Sequence, residues 1–172
     1  YANYSGTTSY ADEAGNFTGS TGTSTMRGID GFPGQVGATY ITDNCGSISR
    51  AADVNGLIDF GTSSGTDCTT PGIGGAGNTH AARTQYWNVT QFKIKAYTYQ
   101  TTNAWLEDVT EITTNASTSV CNAYWTGGAT GYGVFFRSGS GCGNTGEIPG
   151  VSLHEVGHGF DYNDGNGFSP DS

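Results

Sequence analysis

The chain has 172 residues, 29 of them Gly, only 12% charged, and a formal net charge of −9. That length suits one domain with a sizeable core, and the acidic balance argues against nucleic acid or an anionic membrane surface as partner. No apolar run approaches the length that spans a bilayer. The abundance of Gly, Ser, Thr, Asn and Tyr, with few Lys, predicts short strands, many turns and long ordered loops, as in secreted proteins. Tyr1 opens directly into polar sequence with no signal segment, which predicts a mature or excised chain.

From Tyr1 to about Thr25 the sequence is polar, with aromatics at Tyr1, Tyr4, Tyr10 and Phe17, and reads as short strands or an extended segment. Gly37 to Thr42 and Gly56 to Phe60 are strand-like. Gly61 to Asn78 is a Gly-rich loop around Gly72-Ile73-Gly74-Gly75-Ala76-Gly77. It lacks the Lys-Ser/Thr of a phosphate-binding loop, so it reads as structural. Thr79 to Tyr99 has apolar positions at helical spacing (Ala81, Ala82, Tyr86, Val89, Phe92, Ile94, Ala96), with Thr79 as a candidate cap. Asn103-Ala104-Trp105-Leu106 to Ile112 reads as a turn into a strand. Asn122 to Trp125 and Gly133 to Arg137 read as aromatic strands of one hairpin, joined by Thr126-Gly127-Gly128-Ala129-Thr130-Gly131. No internal repeat is present.

Four Cys fall as two local pairs without metal-binding C-x-x-C spacing, and sequential pairing closes the shortest loops. The expectation is Cys45 with Cys68 and Cys121 with Cys142, formed in an oxidising compartment. Sequons at Asn3, Asn16, Asn88 and Asn115 are no more than such a composition yields by chance.

His154-Glu155-Val156-Gly157-His158 carries the chemistry. On a helix, residues i and i+4 share a face, so both imidazoles can reach one ion. Glu155, beside the first His, is placed to act on a water there; this is the H-E-x-x-H arrangement of zinc hydrolases. Pro149 suits a first helical turn, and Ile148, Val151 and Leu153 give an apolar lead-in. His80, the remaining His, has no partner nearby in sequence and reads as structural or exposed.

The stretch from Asn122 to Asp161 resembles the catalytic core of thermolysin-like and fungalysin-like zinc metallopeptidases, the gluzincins. Asn122-Ala123-Tyr124-Trp125, Val134-Phe135-Phe136, Gly139-Ser140-Gly141 and His154-Glu155-Val156-Gly157-His158-Gly159 occur in that family's order. The resemblance implies an α+β, zincin-like fold: a short mixed or antiparallel sheet with an active-site helix, loop-rich and disulfide-stapled. It implies Zn2+ on His154 and His158, Glu155 as general base, and Asn122 and Ala123 on an edge strand contacting substrate. A secreted endopeptidase acting on peptides or proteins would follow.

In gluzincins the third ligand is a Glu some twenty or more residues after the second His, and this chain ends at Ser172. One expectation is therefore a single domain, 1–172, forming the N-terminal part of a catalytic unit, with a β- and loop-rich segment over 1–71 and the peptidase-like core over 72–172. Its missing C-terminal part, or a second copy, would then be a partner. Another is that Asp161 or Asp164 completes the site. Asp164 has the spacing of H-E-x-x-H-x-x-G-x-x-D, with Asp161 in the Gly position, whereas Asp161 on a continuing helix would orient an imidazole from the second shell. Asp161 to Gly167 also bears a faint likeness to a Ca2+ loop, without its full acidic series or terminal Glu. The competing functional reading is an extracellular structural or assembly subunit that keeps the fold without turnover.

Overall fold

The computed structural model describes residues 2–4, 7–9, 22–26, 28, 34–45, 48–55, 58, 60, 80–116, 121–137 and 141–165. Strands β1 (Ala2–Tyr4), β2 (Thr7–Ser9), β3 (Thr23–Thr25) and β5 (Ser49–Ala51) form an antiparallel sheet in the order β2-β1-β3-β5. The second sheet has β4 (Thr39–Asp43), β6 (Thr110–Ala116), β7 (Ala123–Thr126) and β8 (Tyr132–Phe136) in the order β4-β6-β8-β7. It is mixed: β4, β6 and β8 run parallel, and β7 lies antiparallel on β8 as an edge. With helices α1 (His80–Tyr97), α2 (Ala104–Glu107) and α3 (Pro149–Asn163) the chain is α+β.

Parallel strands cannot be joined by tight turns and need crossovers. Helix α1 lies in the connection from β4 to β6, and its apolar spacing does what the sequence suggests by burying Ala81, Ala82 and Val89. Ala82 and Val89 join Met26, Ile41, Ile112, Ala123, Phe135 and Val156 in one core shared by α1, the mixed sheet and α3. The same stripe of α1 also buries Gln85 and Lys93, both 0% exposed. The Lys93 ammonium donates to the Asp108 carbonyl and stands 5.7 Å over the Trp105 ring, so its charge has a dipole and a π-face as partners.

Two local expectations change. The segment read as a turn at Asn103 to Leu106 is a short helix, α2, because the Asn103 side chain accepts from Trp105 N at 3.1 Å and caps it. Ile58 and Phe60, in the segment read as a strand, belong to none. The Phe60 carbonyl accepts from Arg83 Nη1 at 2.9 Å, so a side chain on α1 takes a bond a ladder would otherwise need. Thr79, Cys68 and the Gly61 to Asn78 loop lie outside the described residues.

The Cys121–Cys142 disulfide forms as expected and ties the start of β7 to the loop that enters α3. Cys45 is fully buried and disulfide-bonded. The Asn115 sequon is blocked in the folded chain: Asn115 is 0% exposed and its Nδ2 donates to Asp43 Oδ1 at 2.8 Å.

Helix α3 docks on β7 through one close approach. A Cβ built on Gly159 would fall 2.4 Å from Trp125 Cζ2, so only glycine allows the indole to lie against the helix. Trp125 also packs edge-on against Trp105, and Phe160 of α3 meets Phe92 of α1 at 5.7 Å between centroids. Gly159→Ala is expected to destabilise the protein by about 1–3 kcal/mol through overpacking, despite alanine's higher helix propensity; chemical denaturation measures it.

Candidate metal centre

His154, Glu155 and His158 sit on α3, which starts at Pro149 after a 3-10 turn, Thr145–Glu147. The start of this helix is held from outside it. Ile148, its N-cap residue, supplies no side-chain cap. Instead Gln85 of α1 donates from Nε2 to Gly146 O at 2.9 Å and to Ser152 Oγ at 2.5 Å, and Ser152 Oγ donates on to Ile148 O. Asn144 caps the 3-10 turn by accepting from Gly146 N at 2.9 Å. Its own Nδ2 donates to Asn115 Oδ1 at 2.6 Å, and Asn115 donates to Asp43, which also accepts from Cys45 N. The ends of β4 and β6 are thereby connected through buried amides to the entry of α3.

On that helix His154, Glu155 and His158 come together, their ligand atoms within 4.8 Å of one another, a group that can hold a metal ion. The two Nε2 atoms are 3.3 Å apart and the rings stand at 83° to each other. Both imidazoles are exposed, whereas Glu155 is 7% exposed. Among the described residues the Glu155 carboxylate makes no hydrogen bond or ion pair. Its oxygens are not among the buried unpartnered atoms, so they reach solvent beside the two imidazoles, where a cation held by the pair would meet them.

The other expected site residues are placed as follows. Asp161 is half-buried one turn beyond His158 and makes no hydrogen bond to either imidazole, and Asp164 is the C-cap of α3. Neither belongs to the His-Glu-His group. Asn122 is exposed and turns its carbonyl toward Thr145 Oγ1, which donates to it at 2.8 Å, while Ala123 opens β7 with its side chain in the core. Any contact these two make with a bound peptide would therefore fall to the Asn122 side chain or to the free backbone edge of β7. A cleft of about 540 Å³ opens between the α1–α2 turn and the C-terminal end of α3, lined by Tyr99, Asn103, Trp105, Asn163 and Asp164. None of His154, Glu155 and His158 lines it.

Sequence reasoning missed the buried amides Gln85, Asn115 and Asn144. It also missed the partner of His80, Glu147, whose carboxylate lies 3.4 Å away and links the start of α1 to the entry of α3. A signal existed for Gln85, a polar residue at an apolar position of the α1 stripe. No family model, curated protein or solved structure matches this chain.

Asn144→Ala would strip partners from Gly146 N and from Asn115 Oδ1, both buried. A loss of roughly 2–4 kcal/mol is expected, because unsatisfied buried groups forfeit their desolvation energy. Thermal unfolding of the variant beside the parent checks it.

Proposed function

We propose that this chain carries the metal-binding helix of a secreted zinc-dependent endopeptidase of the gluzincin type. The observation that carries the reading is the convergence of His154, Glu155 and His158, with the Glu155 carboxylate making no hydrogen bond or ion pair among the described residues. Zinc–nitrogen bonds of about 2.0–2.1 Å at a tetrahedral angle put two nitrogens about 3.3–3.4 Å apart, whereas a right-angled geometry brings them to about 2.9 Å. The 3.3 Å between the two Nε2 atoms, in the metal-free chain the length of a hydrogen bond between the rings, is also compatible with a tetrahedral ion replacing that bond. The pair is also all-nitrogen, which suits zinc and disfavours Mg2+ or Ca2+.

A zinc ion held there supplies Lewis acidity toward a substrate carbonyl and makes water more acidic. The protein's own groups do the rest. Glu155 takes the proton from the attacking water and hands it to the leaving amine nitrogen. Its place on the same turn as the two imidazoles puts it within reach of the reacting centre. The free edge of β7 pairs with an extended peptide backbone and lays it across the face of α3. A catalytic zinc takes three protein ligands plus an open position. Asp161, on the helix face of the two His, is the nearer candidate to complete or support the set; Asp164, at the helix end, is the further one. The disulfide and the absence, among the described residues, of any helix long and apolar enough to cross a membrane are compatible with an extracellular setting.

Zinc titration by calorimetry, followed by assay on casein, tests the reading. His154→Ala and His158→Ala should each abolish stoichiometric zinc binding. Glu155→Ala should keep zinc and lose hydrolysis by a factor of about 10²–10⁴, the usual worth of a general base. Zinc binding that survives loss of either His, or hydrolysis that survives loss of Glu155, would sink the proposal. A chain that binds zinc through both His yet never cleaves peptide favours the structural-subunit reading instead.

A further inference from the structure

Helix α3 is weak on its own terms. Its N-cap residue makes no side-chain cap, its first turn holds no acid and its last turn no base. Neither end therefore complements the helix dipole. Gly157 and Gly159 lie in its interior, where glycine lowers helix formation about fivefold relative to alanine. Trp125 explains Gly159, but a Cβ on Gly157 would meet nothing within 4 Å, so packing does not require glycine there. Glu155, 7% exposed as a residue, adds a negative charge with no hydrogen-bond or ion-pair partner among the described residues.

All three donors of the metal-binding group come from one turn of this same helix. An ion held by His154 and His158 closes a link around that turn and gives the Glu155 carboxylate its countercharge. We propose that the ion is also the clamp of α3: without it the segment from Val151 to Asn163 opens independently of the sheets, and with it that opening must surrender two imidazole ligands. The clamp rests on the reading of the pair as a zinc site. It gives the metal a structural task beside the chemical one, since metal affinity becomes local folding free energy. It also gives Glu155 two opposed effects, reactivity in the loaded protein and a burden in the empty one.

Amide hydrogen exchange on the 172-residue chain, with and without Zn2+, tests it. In the metal-free chain the amides of residues 152–162 should exchange about tenfold or more faster than those of β6 and β8, as expected of a unit that opens below the global transition. Zinc at roughly one hundred times its Kd should slow the α3 amides about 100-fold, leaving the sheet amides far less changed. Gly157→Ala should slow metal-free α3 exchange about fivefold. Glu155→Gln should slow it too, by removing the charge. If α3 exchanges in step with β6 and β8 in the metal-free chain, or if bound zinc protects helix and sheet equally, the clamp is wrong while the zinc site stands. A chain that draws no heat from Zn2+ and gives no Co2+ d–d spectrum loses both.

Discussion

The entry to α3 depends on a line of buried side-chain amides, and most of the site depends on that entry. Asp43 closes β4, Asn115 closes β6, Asn144 precedes the helix and Gln85 reaches over from α1; the three amide side chains are 0–3% exposed. In a low-dielectric interior such groups need partners, and the amides of Asn115 and Asn144 and the Gln85 Nε2 have them, while Gln85 Oε1 is buried without one. That requirement fixes the relative position of elements far apart in sequence. Asn115 even takes a positive φ of 56° to do it, within the part of β6 where the pairing with β8 shifts register. A left-handed residue there costs strain that any side chain would feel, and Asn tolerates it better than most. The strain is offset by two good hydrogen bonds, to Asp43 and from Asn144.

This arrangement explains how a helix without its own cap can begin at one defined residue. The carbonyls of Gly146 and Ile148 are taken up by Gln85 and Ser152, so the turn into α3 is locked from the α1 side. From the opposite side Cys142 is bonded to Cys121, one residue before the carbonyl of Asn122 that Thr145 also holds. The edge strand β7 and helix α3 are therefore not two independent elements that happen to adjoin. Gly159 sets their closest approach, and the Trp125, Trp105 and Phe160 rings fill the space behind it.

How much of this was legible in the sequence follows the range of the interaction. The convergence of His154 and His158 is a matter of helix periodicity within five residues, so the motif was enough to place it. The hairpin of β7 and β8 and the long helix α1 were equally local, written in alternation, glycine turns and apolar spacing. The short helix α2 escaped because its decisive contact is a single Asn103 cap, which reads as a turn residue just as well. The amide network escaped for a different reason. Asn, Gln and Thr belong on surfaces by composition, and nothing within a few residues of Asn115 or Asn144 says that each faces the other across 29 positions. The parallel order of β4, β6 and β8 is likewise non-local, since every pairing skips an intervening element.

That division between local and non-local has a chemical counterpart. The imidazole pair is intrahelical, so its capacity for an ion belongs to one turn of helix and survives any rigid shift of α3. What the fold adds is everything a bare helix lacks. Packing against the core buries most of the Glu155 side chain while leaving both imidazoles at the surface. The Gly159–Trp125 contact sets how closely α3 approaches β7, and Gln85 holds the start of the helix. A rigid shift of the helix by about one ångström would leave the His–His distance untouched; on the proposed peptidase reading it would move Glu155 away from a peptide laid on β7, a displacement that well-oriented reactions do not tolerate. On that reading the buried polar groups around the entry of α3 act on a site that none of them touches. Their cost in desolvation is the condition for holding a glycine-bearing, uncapped helix at one position against a strand from a different part of the chain.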